Sequence, residues 1–141
     1  MKIAIGSDHG GYKLKEKIKG FLKRRKIAFK DFGTFSEEPV DYPDIGKAVA
    51  KAVAAKKFKF GILTCGTGIG MAMAANKVAG IRAAVAHDLY TAQKSRAHND
   101  ANILALGGRV LRTGMALKMV HAFLRTPFEG GRHLRRVKKI G

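Results

Sequence analysis

Hydrophobic and polar positions follow two rhythms along this chain. Short runs rich in β-branched and aromatic residues alternate with longer stretches whose apolar positions recur every three to four residues. Lys2–Ser7 reads as a first strand. Tyr12–Arg25 reads as a helix with Leu14, Ile18, Phe21 and Leu22 on one stripe. Ile27–Phe32 is a second strand, and a loop with Thr34, Ser36, Pro39 and Pro43 follows. Asp44 is placed to cap a helix that runs through Ile45, Ala48, Val49, Ala52 and Val53. Phe58–Thr64 is a third strand, then a glycine-rich turn and a helix across Met71–Lys77. Ile81–Ala86, an Asp88-capped helix to about Ala97, Ala101–Leu106, a helix over Thr113–Leu124 and a basic tail at Arg132–Lys139 complete the pattern.

Five strands separated by helices define βαβ units, hence a parallel sheet with helices on both faces. The expected architecture is a three-layer α/β/α Rossmann-like fold with a five-stranded parallel sheet. At 141 residues the chain fits a single domain, 1–141, in which 126–141 form a basic C-terminal segment. Ligands of such folds sit beyond the carboxyl ends of the strands, near a topological switch point. Those ends are Ser7–Gly11, Cys65–Gly70, Ala86–Asp88 and Gly107–Arg109.

Composition and charge narrow the classes. An apolar fraction of 46% is enough for a core and argues against disorder. A single cysteine excludes an internal disulfide and fits a reducing compartment. The longest uncharged run, Phe60–Asn76, carries four glycines and makes a poor membrane span. The apolar patch at Met1–Gly6 is too short for a signal sequence. A soluble, cytoplasmic protein without a membrane partner is expected. The formal charge of +18 leaves open a solvated surface, a nucleic-acid surface, an acidic membrane surface, or capture of small anions. Between Lys13 and Lys30 nine Lys or Arg face one acid, Glu16. With few aromatic residues and no nucleic-acid-binding motif, charge alone carries the nucleic-acid reading, and a nucleic-acid partner is not expected.

The chemistry centres on Thr64-Cys65-Gly66-Thr67-Gly68-Ile69-Gly70. Glycines bring backbone N–H groups close to a ligand, and the following helix adds free donors and partial positive charge. The run is neither a Walker A loop nor GxGxxG. Cys65 is either a small buried hydrophobe or a thiol poised for chemistry, and Thr67 could orient that thiol or a substrate oxygen. Asp8-His9-Gly10-Gly11 stands at the same edge, where Asp8 could simply cap a turn. No CxxC, HxxxH or HExxH is present, and His87 and His98 lie roughly 16 Å apart along one helix, so no metal is expected. Arg132 and Arg136 share a face if the tail is helical.

Together, Gly6–Gly11, Asp41–Asp44, Cys65–Gly70, Ala75–Lys77, Ser95–Asn102, Gly107–Arg109 and Gly130–His133 resemble the sugar-phosphate isomerase family that includes ribose-5-phosphate isomerase B and galactose-6-phosphate isomerase. The resemblance spans Lys2 to about Ile140. It implies interconversion of D-ribose 5-phosphate and D-ribulose 5-phosphate through an enediolate, in the pentose phosphate pathway, with no cofactor. Cys65 would be the base and Thr67 would polarise it. Some members carry a carboxylate base at the position of Met71, which cannot take a proton. The N–H groups of Gly66, Gly68 and Gly70 would stabilise the enediolate. His98 would open the furanose ring. Asp8, Tyr42 and Asn99 would hold hydroxyls, and His9, Arg109, Arg132, His133 and Arg136 the phosphate.

Topology adds one expectation. Asp8 and Cys65 follow strands, whereas His98 and Asn99 precede strand five and so lie at the opposite sheet edge. A shared site then requires two chains: an obligate homodimer with composite sites, with pairing of dimers into tetramers left open. Three alternatives stand beside this reading: an isomerase of allose or galactose 6-phosphate, a basic nucleic-acid-binding protein, and a phosphosugar-binding module without catalysis.

Overall fold

The computed structural model describes residues 1–141. Strand β3 (Phe60–Cys65) is buried at every position, the signature of a central parallel strand covered on both faces. Around it lie β1 (Lys2–Ser7), β2 (Ala28–Asp31), β4 (Ala83–Val85) and β5 (Ile103–Gly107), all parallel, in the order β2-β1-β3-β5-β4. Helices α1 (Tyr12–Arg24), α2 (Tyr42–Ala54), α3 (Ile69–Ala75), α4 (Leu89–Ala97), α5 (Thr113–Arg125) and α6 (Arg132–Ile140) complete the domain. The expected α/β/α architecture is the one observed.

Strand alternation builds two cores. Ile3, Ile5, Ile62, Leu104 and Leu106 face α1, α4 and α5. Ala4, Leu63, Cys65 and Ile103 face α2 and α3, against Val49, Ala50, Val53 and Met71. The Cys65 side chain therefore enters the α2–α3 layer. No helix is long and apolar enough to cross a membrane.

Several boundaries differ from the sequence expectation. Helix α2 starts at Tyr42 with Asp41 at its N-cap, and Asp44 sits inside the first turn. Pro43 explains the shift, because its fixed φ and missing N–H suit a first turn. Asp44 still places its charge at the positive helix end. Helix α3 begins at Ile69 and ends at Ala75, since Gly68 takes φ +82° and launches the helix at once. Strand β4 shrinks from Ile81–Ala86 to three residues. Asn102 Oδ1 takes the Arg82 N–H, and Asn76 Oδ1 takes that of Ala83. Strands β2, β3 and β5 start one or two residues late, and β3 runs on to Cys65. Asp88 does cap α4, in a reciprocal capping box with Thr91.

Among the basic residues of α1, Lys15 is fully buried. Its ammonium donates to Asp31 Oδ1 at 2.7 Å and to the Thr34 carbonyl. Lys19 reaches the second oxygen of Asp31 at 2.9 Å. Burial alone would raise the Asp31 carboxyl; the hydrogen bonds from Lys15, Lys19 and the Gly33 N–H outweigh it and hold its pKa below the ordinary value.

Candidate functional site

The sheet order reverses between β1 and β3, so the loops after these strands meet in the crevice. Backbone bonds knit them together. Asp8 N–H donates to the Thr64 carbonyl at 3.2 Å, Gly108 N–H to Cys65 O at 2.8 Å, and Arg109 N–H to Gly66 O at 3.0 Å. Thr64 Oγ1 adds a buried bond to Gly11 O at 2.8 Å. Asp8, Cys65 and Arg109 thus stand side by side at one edge.

The Cys65 side chain is almost fully buried, and its Sγ accepts the Gly68 N–H at 3.1 Å. That bond fixes where the sulfur sits at the head of the glycine turn. Gly68 supplies that donor because its left-handed φ is open to glycine. The Thr67 Oγ1 accepts from the Ile69 N–H at 3.2 Å, a local turn bond two residues on, and no hydrogen bond joins it to the Cys65 sulfur. Exposed and still able to donate, it faces solvent where a ligand would sit. Met71 is fully buried in the core, so no base stands there.

The Tyr42 ring lies directly over Gly70. A Cβ at that glycine would meet the ring at 2.6 Å, so any side chain would displace it. The Arg109 guanidinium lies over Gly10 and Gly66. Asp8 is buried and its Oδ1 accepts the Gly11 N–H at 3.0 Å, which gives it the turn-capping role. His9 Nδ1 accepts the Val40 N–H at 3.3 Å, which leaves the ring proton on Nε2, a donor suited to an anion. Asp8, His9, Tyr42, Gly66, Gly68, Gly70, Cys65, Thr67 and Arg109 therefore form one group.

His98, Asn99, Arg132, His133 and Arg136 form another. Asn102 O accepts from Gly61 N–H at the amino edge of β3, so the segment before β5 lies at the edge opposite Cys65. From Gly61 to Cys65 the sheet is four residues deep, about 13 Å at ~3.3 Å per residue. Buried Arg96 holds this turn. It donates to Asp100 Oδ1 at 2.8 Å and Ala101 O at 2.7 Å, with its guanidinium over the Phe60 ring. The tail is helical, so Arg132 and Arg136 are one turn apart in α6. Asn99 lines a cavity of about 410 Å³ with Asn76, Arg82 and Ile140, on the amino-edge side.

Sequence reading missed Glu129. The His98 and His133 rings stack at 4.1 Å, 11° from parallel. Glu129 Oε1 lies 3.8 Å from His98 Nε2 and 3.5 Å from His133 Nε2. Its backbone N–H is tied to Ala97 O at 3.0 Å. Burial, together with the positive charges of His98, Arg132 and Arg136, pulls the His133 pKa below its ordinary value against the opposing pull of Glu129. The donor atoms of His98, Glu129 and His133 lie within 4.8 Å of one another, a grouping that spacing along the chain could not show. The Glu129–His133 spacing of four was the one available signal.

A thiol in a glycine turn with a guanidinium across it, and a second arginine–histidine group at the opposite edge, are the parts of an α/β enzyme for small phosphorylated substrates. The chain belongs to the Ribose/Galactose Isomerase family, whose model matches residues 3–140. It is 50% identical over 139 residues to ribose-5-phosphate isomerase B of Escherichia coli, covering 99% of this chain and 93% of that one. The fold matches ribose-5-phosphate isomerase B of Clostridium thermocellum with TM-score 0.99 at 57% identity, over 100% and 95% of the two chains. It matches the Mycoplasma genitalium enzyme with bound ribulose-5-phosphate with TM-score 0.94 at 42% identity, over 99% and 93%.

Proposed function

We propose that the protein interconverts D-ribose 5-phosphate and D-ribulose 5-phosphate in the pentose phosphate pathway, at sites built from two copies of the chain. The observation that carries this is the Gly68 N–H to Cys65 Sγ bond inside a turn flanked by Tyr42 and Arg109. Cys65 as thiolate removes the C2 proton of the open-chain aldose. The electron pair passes through C1–C2 to the carbonyl oxygen and gives an enediolate. Returning a proton to C1 and moving one between O1 and O2 yields the ketose. The N–H groups of Gly66, Gly68 and Gly70 hold the developing negative charge, a fixed-dipole effect of several kcal/mol. No external oxidant or reductant enters this balance, since every electron stays in the substrate.

His98 opens the furanose ring, with Glu129 and His133 fixing its position. Asp8, Tyr42 and Asn99 bind hydroxyls. Thr67 donates to a substrate oxygen rather than to the thiol. His9 and Arg109 of one chain and Arg132, His133 and Arg136 of the other hold the phosphate, so residues 126–141 complete the neighbour's site within a single-domain protomer. The two groups of residues cannot meet within one chain across the ~13 Å depth of the sheet. Exposed Ile69 and Met73 beside the glycine turn, and Leu134 and Ile140 on α6, offer apolar surface for a second copy. A cytoplasmic location fits this metabolic role and the single unpaired thiol.

The test is turnover of five- and six-carbon sugar phosphates by the wild type and Cys65→Ala. Ribose 5-phosphate should be the best substrate, and loss of the base should lower kcat by about 10²–10⁴-fold. Preference for allose or galactose 6-phosphate would reassign the substrate. Full activity in Cys65→Ala would overturn the mechanism.

A further inference from the structure

The proposed site uses Arg109, Arg132 and Arg136, and leaves most of the +18 charge unaccounted for. That excess is not spread evenly. On the α1–α4–α5 layer, away from the α2–α3 layer that receives Cys65, lies a groove of about 570 Å³. Arg24 and Arg25 line it from the end of α1, Gln93 from α4, and Lys118, His121 and Arg125 from α5. No acid lines it, and none of the chain's ion pairs involves Arg24, Arg25, Lys118 or Arg125. All four cations are exposed. Other basic side chains of α1, Lys15 and Lys19, are held by Asp31 and Glu16, whereas Arg24 and Arg25 at its end meet no acid.

We propose that this groove binds the sugar–phosphate backbone of single-stranded RNA without reading its bases. The four cations match a run of phosphates along the α5 wall, which extends for about 14 Å from Leu117 to Thr126. The aromatic ring at the groove, Phe21, is buried and its face lies under the Arg25 guanidinium at 5.1 Å. With no free ring for a base to stack on, affinity rests on charge, and sequence preference is absent. The Gln93 amide and the His121 imidazole set hydrogen-bonding groups beside the cations, chemistry suited to the ribose 2′-hydroxyl that DNA lacks. A membrane surface fits less well. Leu89 is the one large apolar residue exposed at the groove, too little to insert among acyl chains.

The test is fluorescence anisotropy of a labelled oligouridylate of about twelve nucleotides, long enough to fill the groove. Four phosphate contacts predict a log–log salt slope of about −3, a loss of about 50-fold in affinity between 50 and 200 mM salt. Arg24→Gln with Arg125→Gln should lower the slope to about −1.4 and the loss to about 7-fold. Lys47→Gln with Lys51→Gln removes the same charge from exposed positions on α2 and should change neither. Isomerase activity, unchanged in both pairs, reports intact folding. Equal weakening by the two pairs would mean diffuse charge and overturn the groove. No binding at 50 mM salt would overturn the proposal outright. Equal affinity for oligothymidylate would overturn the RNA preference, and groove-dependent capture of phosphatidylserine vesicles in place of RNA would overturn the partner.

Discussion

The proposed shared site makes a quantitative prediction for mixed dimers. Cys65→Ala removes the proposed base from one sheet edge, and His98→Ala removes the proposed ring-opening group from the other. Each parent homodimer should be inactive, because both of its sites would lack one group. The β3–β5 register puts four residues, about 13 Å, between the edges, so in the proposed site each chain supplies one of the two groups to each sugar. In a hybrid dimer one site receives both damaged groups, and the other receives Cys65 and His98 intact. Random exchange makes about half of the dimers hybrids, so the mixture should recover about a quarter of the wild-type activity per chain. Hybrids isolated through two different tags should show about half. The assay is ribulose 5-phosphate formation after refolding the chains together. Purified hybrids no more active than either parent would refute the composite site, as would a fully active monomer.

Other outcomes follow from single contacts. Lys15→Ala leaves partly buried Asp31 with Lys19 and the Gly33 N–H and should destabilise by about 3 kcal/mol in denaturant unfolding; a loss under about 1 kcal/mol would show that the buried ammonium contributes little. Asp31 has a depressed folded pKa, so its stabilisation is complete above the unfolded value of 3.8 and lost as pH falls through the lower folded value. Asp31→Asn should therefore flatten the acid limb of the stability profile, and an unaltered limb would contradict this. Gly70→Ala forces Tyr42 aside and should lower kcat/KM by about 10–100-fold while the fold persists, read by circular dichroism beside the kinetics. Glu129→Gln removes the one nearby charge that favours protonated His133, so its pKa in an NMR titration should fall further; a rise would refute the assignment.

The fold was legible because its strands are short, β-rich and bounded by glycine or polar turns, and helices α1, α2 and α5 carry one apolar stripe each. Cys65 with its glycine turn and Asp8 after β1 were legible for the same reason: a strand end in a parallel sheet is a fixed place. Rotamers and tertiary returns were not. Thr67 turns to the Ile69 N–H through a bond two residues long, which no motif encodes. Glu129 reaches His98 because the chain folds back over the end of α4. Arg96 stands inside the Ser95–Asn102 run with no mark of burial, yet it is buried against Phe60 and closes the turn that carries His98 and Asn99. Lys15 sat in a run of nine basic residues that read as solvated, and burial by α1 packing separated it from its neighbours.

The acids explain where the charge excess ends up. Only ten are present, and several are engaged locally: Asp31 with buried Lys15, Asp100 with Arg82 and buried Arg96, Glu129 with the stacked histidines. Each completes a local structure, and none of them pairs with the outer arginines of α1 and α5. The outer arginines of α1 and α5 are left without partners as a consequence of how the core and the site are held together. Salt should then act on two functions through separate groups. Beyond a screening length of about 8 Å at physiological ionic strength, surface charges stop steering substrate, so KM for a sugar phosphate should rise with salt. Neutralising Arg24 and Arg125 should leave most of that rise intact, because Arg109, Arg132 and Arg136 stand at the site itself. A KM whose salt dependence vanished with the groove pair would place substrate capture, rather than a second ligand, in the α1–α5 groove.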